Sequence, residues 1–124
     1  MIYAGQETEN EYRPSLFEKD TVNWNTGYDL SKFMAAMYKI KKNPLFANSR
    51  FYLHALPCDI LLAAHKGQSC CFYGVFSLKG FTSVVSITDI QEGEFTNLID
   101  GAAFRIEDHK LSCQGTPVIF RYPL

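Results

Sequence analysis

The sequence predicts a mainly β protein: an antiparallel Greek-key β-sandwich of about eight strands, preceded by a strand–loop–helix segment. Three observations predict it. In the closing stretch, Gly93 to Leu124, short apolar runs are separated by turn-forming residues. From Phe46 onward, further short β-prone runs follow one another at sandwich-like spacing. The only clear helical periodicity, Tyr28 to Asn43, lies ahead of all of them.

The first 25 residues are unlike the rest. Residues 2–6, around Ile2-Tyr3-Ala4, suggest a short strand, ended by Gly5-Gln6-Glu7. Thr8 to Arg13 is polar, and Pro14 to Trp24 reads as an irregular loop with Phe17 and Trp24 as aromatic anchors. A loop of that length without periodicity belongs to a functional or mobile surface. A helix is expected over 28–43. Asp29 is its N-cap candidate. Leu30, Phe33, Met34, Met37, Tyr38 and Ile40 form an apolar stripe. Lys39, Lys41 and Lys42 suit the negative end of the helix dipole, and Asn43-Pro44 stops the helix. The stripe reads as a packing face rather than a ligand box.

The strands then follow. Arg50 to Leu56 alternates Phe51, Leu53 and Ala55 with Tyr52, His54 and Leu56. Pro57 bends the chain into Ile60 to His65, which Lys66-Gly67-Gln68 closes. Cys70 to Leu78 is apolar on both faces, as a central strand would be. Phe81 to Ile87 leads into an acidic connection, Thr88 to Gly93. Phe95 to Ile99 and Ala102 to Ile106 flank Asp100-Gly101, a pair that predicts a type I′ hairpin turn. Leu111 to Cys113 returns after the Glu107-Asp108-His109-Lys110 turn. Val118, Phe120 and Tyr122 alternate with Ile119 and Arg121 in a last strand with one buried face. The organisation is thus residues 1–44 as half of a βα repeat, and residues 45–124 as the sandwich.

Composition narrows the function. The chain has 124 residues, enough for one real core, and 12 Lys+Arg against 13 Asp+Glu. No basic excess offers a footprint for nucleic acid. No apolar run is long enough to span a membrane. The start lacks a basic-then-apolar signal pattern, although a processed chain would lack it too. Cys58, Cys70, Cys71 and Cys113 form no CxxC pair, and His54, His65 and His109 are scattered, so no metal site and no cofactor are expected. Adjacent Cys70 and Cys71 point to opposite faces of a strand. Buried reduced thiols are the expectation, which leans towards a cytoplasmic compartment and leaves a secreted parent open.

The residues also carry a family resemblance. Ile2-Tyr3-Ala4-Gly5-Gln6-Glu7 resembles the last barrel strand of the α-amylase family (glycoside hydrolase family 13), which often reads P-x-I-Y-x-G-Q-E. Arg13-Pro14-Ser15-Leu16-Phe17 and Val22-Asn23-Trp24 look like the loop after that strand. Leu30 to Leu45, ending in Lys41-Lys42-Asn43-Pro44, is similar to the family's last barrel helix and its exit. Gly93-Glu94-Phe95-Thr96-Asn97-Leu98-Ile99-Asp100-Gly101 and Ile106 to Leu111 resemble the closing pattern of its C-terminal sandwich, domain C. The resemblance covers essentially the whole chain in the family's order, though no single motif is highly specific. Two positions depart from it: Met1 stands where a residue such as Pro-Met would precede the strand. His109 stands where Gly is common, which leaves another turn type open there.

The resemblance implies that 1–44 is the terminal segment of a (β/α)8 barrel and that the parent is a retaining α-glycosidase acting on α-glucans. Such enzymes need two carboxyl groups about 5–5.5 Å apart. In the family those carboxylates lie upstream of the last strand, so no catalytic residue is expected in this chain. Its own acidic clusters, Glu7-Glu9-Glu11 and Asp89-Glu92-Glu94, read as solvated surface. Glu7 would sit at the active-site end of a barrel strand, and its role in this chain is expected to be structural, as is that of Arg13. Trp24 is the chain's single Trp. Glu7, Arg13 and Trp24 are therefore the weak substrate-binding candidates. No Ser is expected beside His54 or His65, which excludes a triad. Most Phe and Tyr are expected to face the core, which favours a scaffold that caps the catalytic barrel over a sugar-binding platform. An unrelated β-sandwich interaction domain is the third class. The expected partners are that barrel, an α-glucan, or a second copy through helix 28–43.

Overall fold

The computed structural model describes residues 3–13, 15 and 17–124. It divides into two compact units, 1–39 and 40–124.

In the first unit the expected strand over 2–6 is not formed at its described residues. Tyr3 to Gly5 turn, and Gln6–Thr8 is a single turn of 3-10 helix. Ile2, like Met1, Pro14 and Leu16, lies outside the described residues. A strand needs a neighbour to take up its backbone groups. These residues satisfy one another instead: the Tyr3 amide donates to Gln6 Oε1 at 2.7 Å, and the Gln6 amide to the Tyr3 carbonyl at 3.2 Å. Gly5 has φ 91°, and a Cβ there would meet Val22 Cγ1 at 2.8 Å. The position therefore takes Gly for both backbone and space. Helix α1, Ser31–Lys41, is shorter than the expected 28–43. Asp29 Oδ1 accepts from the Ser31 amide at 2.8 Å, which is its expected capping work, and its hydrogen bonds with Ser31 hold the carboxyl below the usual range.

In the second unit, α2 (Leu45–Asn48) is a one-turn helix where strand was expected. Asn43-Pro44 ends α1 but also starts α2, because Pro44 sits at φ −57° and Asn43 Oδ1 accepts from the Leu45 amide at 3.0 Å. Eight strands follow: β1 Arg50–Leu56, β2 Ile60–Lys66, β3 Cys70–Ser77, β4 Thr82–Ser86, β5 Gly93–Thr96, β6 Ala103–Glu107, β7 Lys110–Gln114 and β8 Val118–Pro123. They form two antiparallel sheets, ordered β1-β2-β3-β8 and β4-β7-β6-β5. The second order is a Greek key: β5, β6 and β7 meander, and β4 reaches β5 by a crossover to lie beside β7. The mainly β, two-sheet expectation is met.

The core lies between the sheets. Cys71, Tyr73 and Val75 of β3, with Phe120 of β8 beside them, face Val85, Ile106, Leu111 and Cys113 of the other sheet, and each is under a tenth exposed. Phe120 is the hub of the aromatic packing. Its ring lies 5.6 Å from Tyr73, 5.2 Å from Phe95 and 5.2 Å edge-on to Phe104, so it joins β3, β5, β6 and β8. The other face of β3 is also buried, as its continuous apolar run requires; there Phe72 packs 5.1 Å from Phe46 of α2.

The type I′ turn expected at Asp100-Gly101 is found at the next connection instead. Asp100 is not left-handed; only Gly101 is, at φ 80°. The connection runs from Asn97 to Ala102, closed by the Asn97 amide donating to the Ala102 carbonyl and the Gly101 amide to the Asn97 carbonyl, both at 2.8 Å. The type I′ turn is Asp108-His109, with φ 48° and 55°. His109 tolerates this because it is anchored. Its Nδ1 donates to the Ile90 carbonyl at 2.9 Å, and its carbonyl accepts from Ile87 at 2.8 Å. The β4–β5 crossover therefore rests on this turn, and the Asp108 amide adds a bond to Glu92 Oε1 at 3.1 Å.

Asn97 is the buried polar side chain among the described residues, at 4% exposure. Its Oδ1 accepts from the Ile119 amide at 3.0 Å and the Ile99 amide at 3.2 Å; its Nδ2 donates to the Pro117 carbonyl at 3.2 Å. The Leu98 amide donates to the Ile119 carbonyl at 2.7 Å. The end of β5 is thus tied to β8 of the opposite sheet. Asn97→Ala is expected to cost about 2–4 kcal/mol in urea unfolding, because it orphans buried backbone groups. Asn97→Asp should cost a similar amount by losing the Nδ2 donor to the Pro117 carbonyl. A loss below about 1 kcal/mol for both would show that the tie contributes little.

Candidate functional site

The three residues singled out from sequence lie in the first unit. Glu7 is half-buried in the 3-10 turn. Its Oε2 accepts from the Gly5 amide at 3.0 Å and its carbonyl accepts from Leu30 at 2.7 Å. The carboxylate is therefore engaged in shaping its own turn. Arg13 and Trp24 are exposed in the loop, Trp24 at 54%. Among the described residues no hydrogen bond or ion pair joins these three. Hollows among the described residues of this unit include one lined by Tyr3, Gln6, Tyr12 and Val22, and one lined by Glu9, Glu11, Asn23 and Tyr28. Neither includes Glu7, Arg13 or Trp24.

In the second unit the structure places a Ser beside a His, which the sequence did not lead one to expect. Ser49 Oγ lies 2.8 Å from His65 Nδ1. The neighbours are apolar or cationic: Phe46 at 4.6 Å and Phe51 at 4.8 Å ring to ring, with Lys41 nearby. Burial first, and Lys41 second, push the imidazole below its ordinary value. Ser49, Phe46, Phe51 and Lys41 surround the ring without a carboxylate to orient it or stabilise a cation on it, so this pair lacks what nucleophilic catalysis needs. It fastens α2 to β2. The sequence signal for it was weak, because Ser49 sits in a one-turn helix exit that only the tertiary packing creates.

The sandwich carries a cleft of about 490 Å³ between the inner face of its first sheet and the end of β4. Strand register explains it. Tyr52, Ala64 and Tyr73 are successive partners across β1, β2 and β3, so a small side chain lies between two tyrosines. His54 and Leu62 form the next rung, Lys66 and Cys71 the one on the other side. Ser86 to Asp89 form the rim. Cys71, His54 and Asp89 are residue types used in thiol chemistry, but burial raises the Cys71 thiol, which is the wrong direction for a nucleophile. Burial likewise pushes the Tyr73 phenol up to about 12, so it stays a neutral hydroxyl. The cleft is suited to holding a molecule and carries no activated group. No described group of three or more His, Cys, Asp or Glu could hold a metal ion. All four cysteines are free, and no described helix is long and apolar enough to cross a membrane.

The aromatic distribution corrects an expectation. Tyr52 and Phe51 of β1 are 37% and 55% exposed, and Phe81, Tyr12, Tyr28 and Tyr38 are also open, so many Phe and Tyr do not face the core. β1 is an edge strand with little cover on either face.

With this geometry in hand, comparison with known proteins is decisive for the family. Residues 52–120 match the family described as "Bacterial Alpha amylase C-terminal domain". The chain belongs to that family. An alpha-amylase from Lactobacillus plantarum is similar over 98% of this chain, at 27% identity and a TM-score of 0.85. An alpha-amylase from Anoxybacillus is similar over 81% at 18% identity (TM-score 0.62), and a noncanonic maltogenic alpha-amylase from Thermotoga neapolitana over 99% at 13% identity (TM-score 0.73); at those identities the likeness is one of fold. The chain spans 29%, 24% and 32% of the lengths of these three proteins. No curated protein matches it by sequence. The match covers β1 to β8 as far as Phe120, and so takes in Asn97, the Phe120 cluster and the cleft.

The depressed His65 gives a signed prediction. A histidine whose folded value lies below its unfolded value leaves the folded state binding fewer protons. Its contribution is fully present above about pH 6.5 and is lost as pH falls through the folded value. Thermal midpoints should fall between about pH 7 and about pH 5. His65→Gln should flatten that slope. Equal slopes in the two proteins would remove His65 as a cause.

Proposed function

We propose that this chain is the C-terminal accessory part of an α-amylase-type glycoside hydrolase acting on α-glucans, with residues 1–44 ending a (β/α)8 barrel and 45–124 capping it. The observation that carries the reading is that the likeness to the Lactobacillus plantarum enzyme covers 98% of this chain, and so takes in the first unit as well as the sandwich. The sandwich has a complete core and no activated nucleophile or carboxylate pair, which suits a domain that stabilises a neighbour. A retaining mechanism would need its two carboxyl groups from elsewhere in the parent. In this reading the Glu7 turn and Arg13 belong to the barrel's rim, and they position loops without touching bonds that break.

The α1 stripe needs a partner. Phe33 is 36% exposed, and Met34 and Met37 are half-buried. The barrel is that partner in a full-length enzyme; a second copy of the chain takes its place when the chain stands alone.

Two measurements test this. Removing 45–124 from a full-length parent should lower the thermal midpoint of its barrel by several degrees, while the 124-residue chain alone should release no sugar from soluble starch. Hydrolysis by the chain alone, lost on substitution of one of its own carboxylates, would overturn the accessory reading. In light scattering the chain alone should self-associate, and Phe33→Glu should return it to a monomer. A monomer at all concentrations with α1 ordered would remove the second-copy reading.

A further inference from the structure

The cleft between the two sheets is unaccounted for by a purely supporting role. We infer that it binds one or two rings of a neutral sugar. The shape argues for it first. At about 490 Å³ it falls within the roughly 300–1,000 Å³ range of small-molecule sites. Its floor is a trough, because Ala64 lies between Tyr52 and Tyr73 on one rung of the sheet. A trough one small residue wide and flanked by rings suits a flat, six-membered ring better than a chain or a sphere.

The chemistry narrows the ligand. The walls carry one cation, Lys66, and one anion, Asp89, with His54 and the hydroxyls of Ser86 and Thr88. A multiply charged anion such as phosphate would meet Asp89. A metal ion lacks a ligand set, since no described group of three acidic, His or Cys side chains exists. A wholly apolar ligand would strand the charged pair without water. A polyhydroxylated ring answers all of these groups, because each hydroxyl both donates and accepts. Its C–H face has a partner in Tyr52, whose side chain is exposed on the edge strand and has Arg50 5.8 Å from the ring. Tyr73 is less available: its ring is stacked on Phe120 and it is 8% exposed, so it forms the wall rather than the platform.

Why the cleft stays open also follows from the fold. β1 contributes only Leu56 to the packing around the core, so its inner face at Tyr52 and His54 runs out beyond the cover of the second sheet. The rim is held in place, because the crossover that follows Ser86 is fastened at Ile87 and Ile90 to the His109 turn. The site is therefore preformed, which keeps the ordering cost of binding low.

The test is amide chemical-shift mapping on the 124-residue chain, titrated with maltotriose, and in parallel with cellotriose and with sodium phosphate. Maltotriose should move the amides of 52–54, 64–66 and 86–89 saturably. Tyr52→Ala should weaken that binding by about tenfold, and Asp89→Asn should weaken it measurably. Trp24→Ala, in the other unit, should leave it unchanged. Tyr52 and Asp89 are both exposed, so the variants are expected to fold, and their own amide spectra verify it. Equal response to cellotriose would keep the site and remove any linkage preference. The inference is overturned by no saturable shift with either sugar, by shifts confined to the loop around Trp24, by an unchanged affinity in Tyr52→Ala, or by phosphate moving the same amides as strongly. The choice of maltotriose rests on the amylase reading, but the site does not. Failure here leaves the barrel-stability measurement standing, and failure there leaves this one.

Discussion

Asn97 sets how the two sheets meet. Hydrophobic packing holds a sandwich together but has no direction, so apolar faces alone permit sliding and rotation. The Asn97 amide group removes that freedom by bonding, in one buried place, to the Ile119 amide and the Pro117 carbonyl. The adjacent Leu98–Ile119 bond makes the tie a short backbone bridge as well. With β5 and β8 registered in this way, the Phe120 ring falls among Tyr73, Phe95 and Phe104, and β3 is carried into place as β8's partner. A polar side chain is costly to bury unless its polar atoms find partners. Here it accepts twice and donates once, which converts that cost into specificity.

The second constraint is the crossover. A Greek key must send one connection past two strand ends, and such a connection needs backbone partners of its own. The Asp108-His109 turn supplies them through one carbonyl, one amide and one imidazole. Two non-glycine residues hold left-handed backbone there, a conformation that costs on the order of 1–2 kcal/mol per residue. The hydrogen bonds to Ile87, Ile90 and Glu92 offset it. The same fastening fixes the rim of the cleft, so a turn at one end of the fold bears on what the other side can hold.

The sandwich is asymmetric in a way that matters for function. β3 is covered on both faces, whereas β1 is left open on both. An apolar edge strand of seven residues is a hazard unless something lies against it. The proposed accessory role gives that surface and the α1 stripe a neighbour, and the chemistry of the interior fits the same view. Its buried thiol and phenol are pushed towards their neutral forms, so the core is quiet.

What the sequence determined by itself were the elements whose signals are local. Alternation of period two placed β1 and β8, turn-forming residues bounded the short apolar runs between them, the continuous apolar run of Cys70 to Leu78 identified the central strand, and Asp29 marked the helix start. The ordered series from Ile2-Tyr3-Ala4-Gly5-Gln6-Glu7 to the Gly93–Gly101 pattern pointed to the family later shown by comparison. The tertiary structure decided everything that depends on partners distant in sequence. Tyr3 to Gln6 turned instead of extending, because no neighbouring strand takes up their backbone groups. The left-handed pair fell at Asp108-His109, because the crossover anchors His109. Ser49 met His65, and Ala64 came to lie between Tyr52 and Tyr73, because register aligns residues that no spacing along the chain connects. Asn97 was legible only as a letter in a pattern; its burial and three hydrogen bonds exist once two sheets have met.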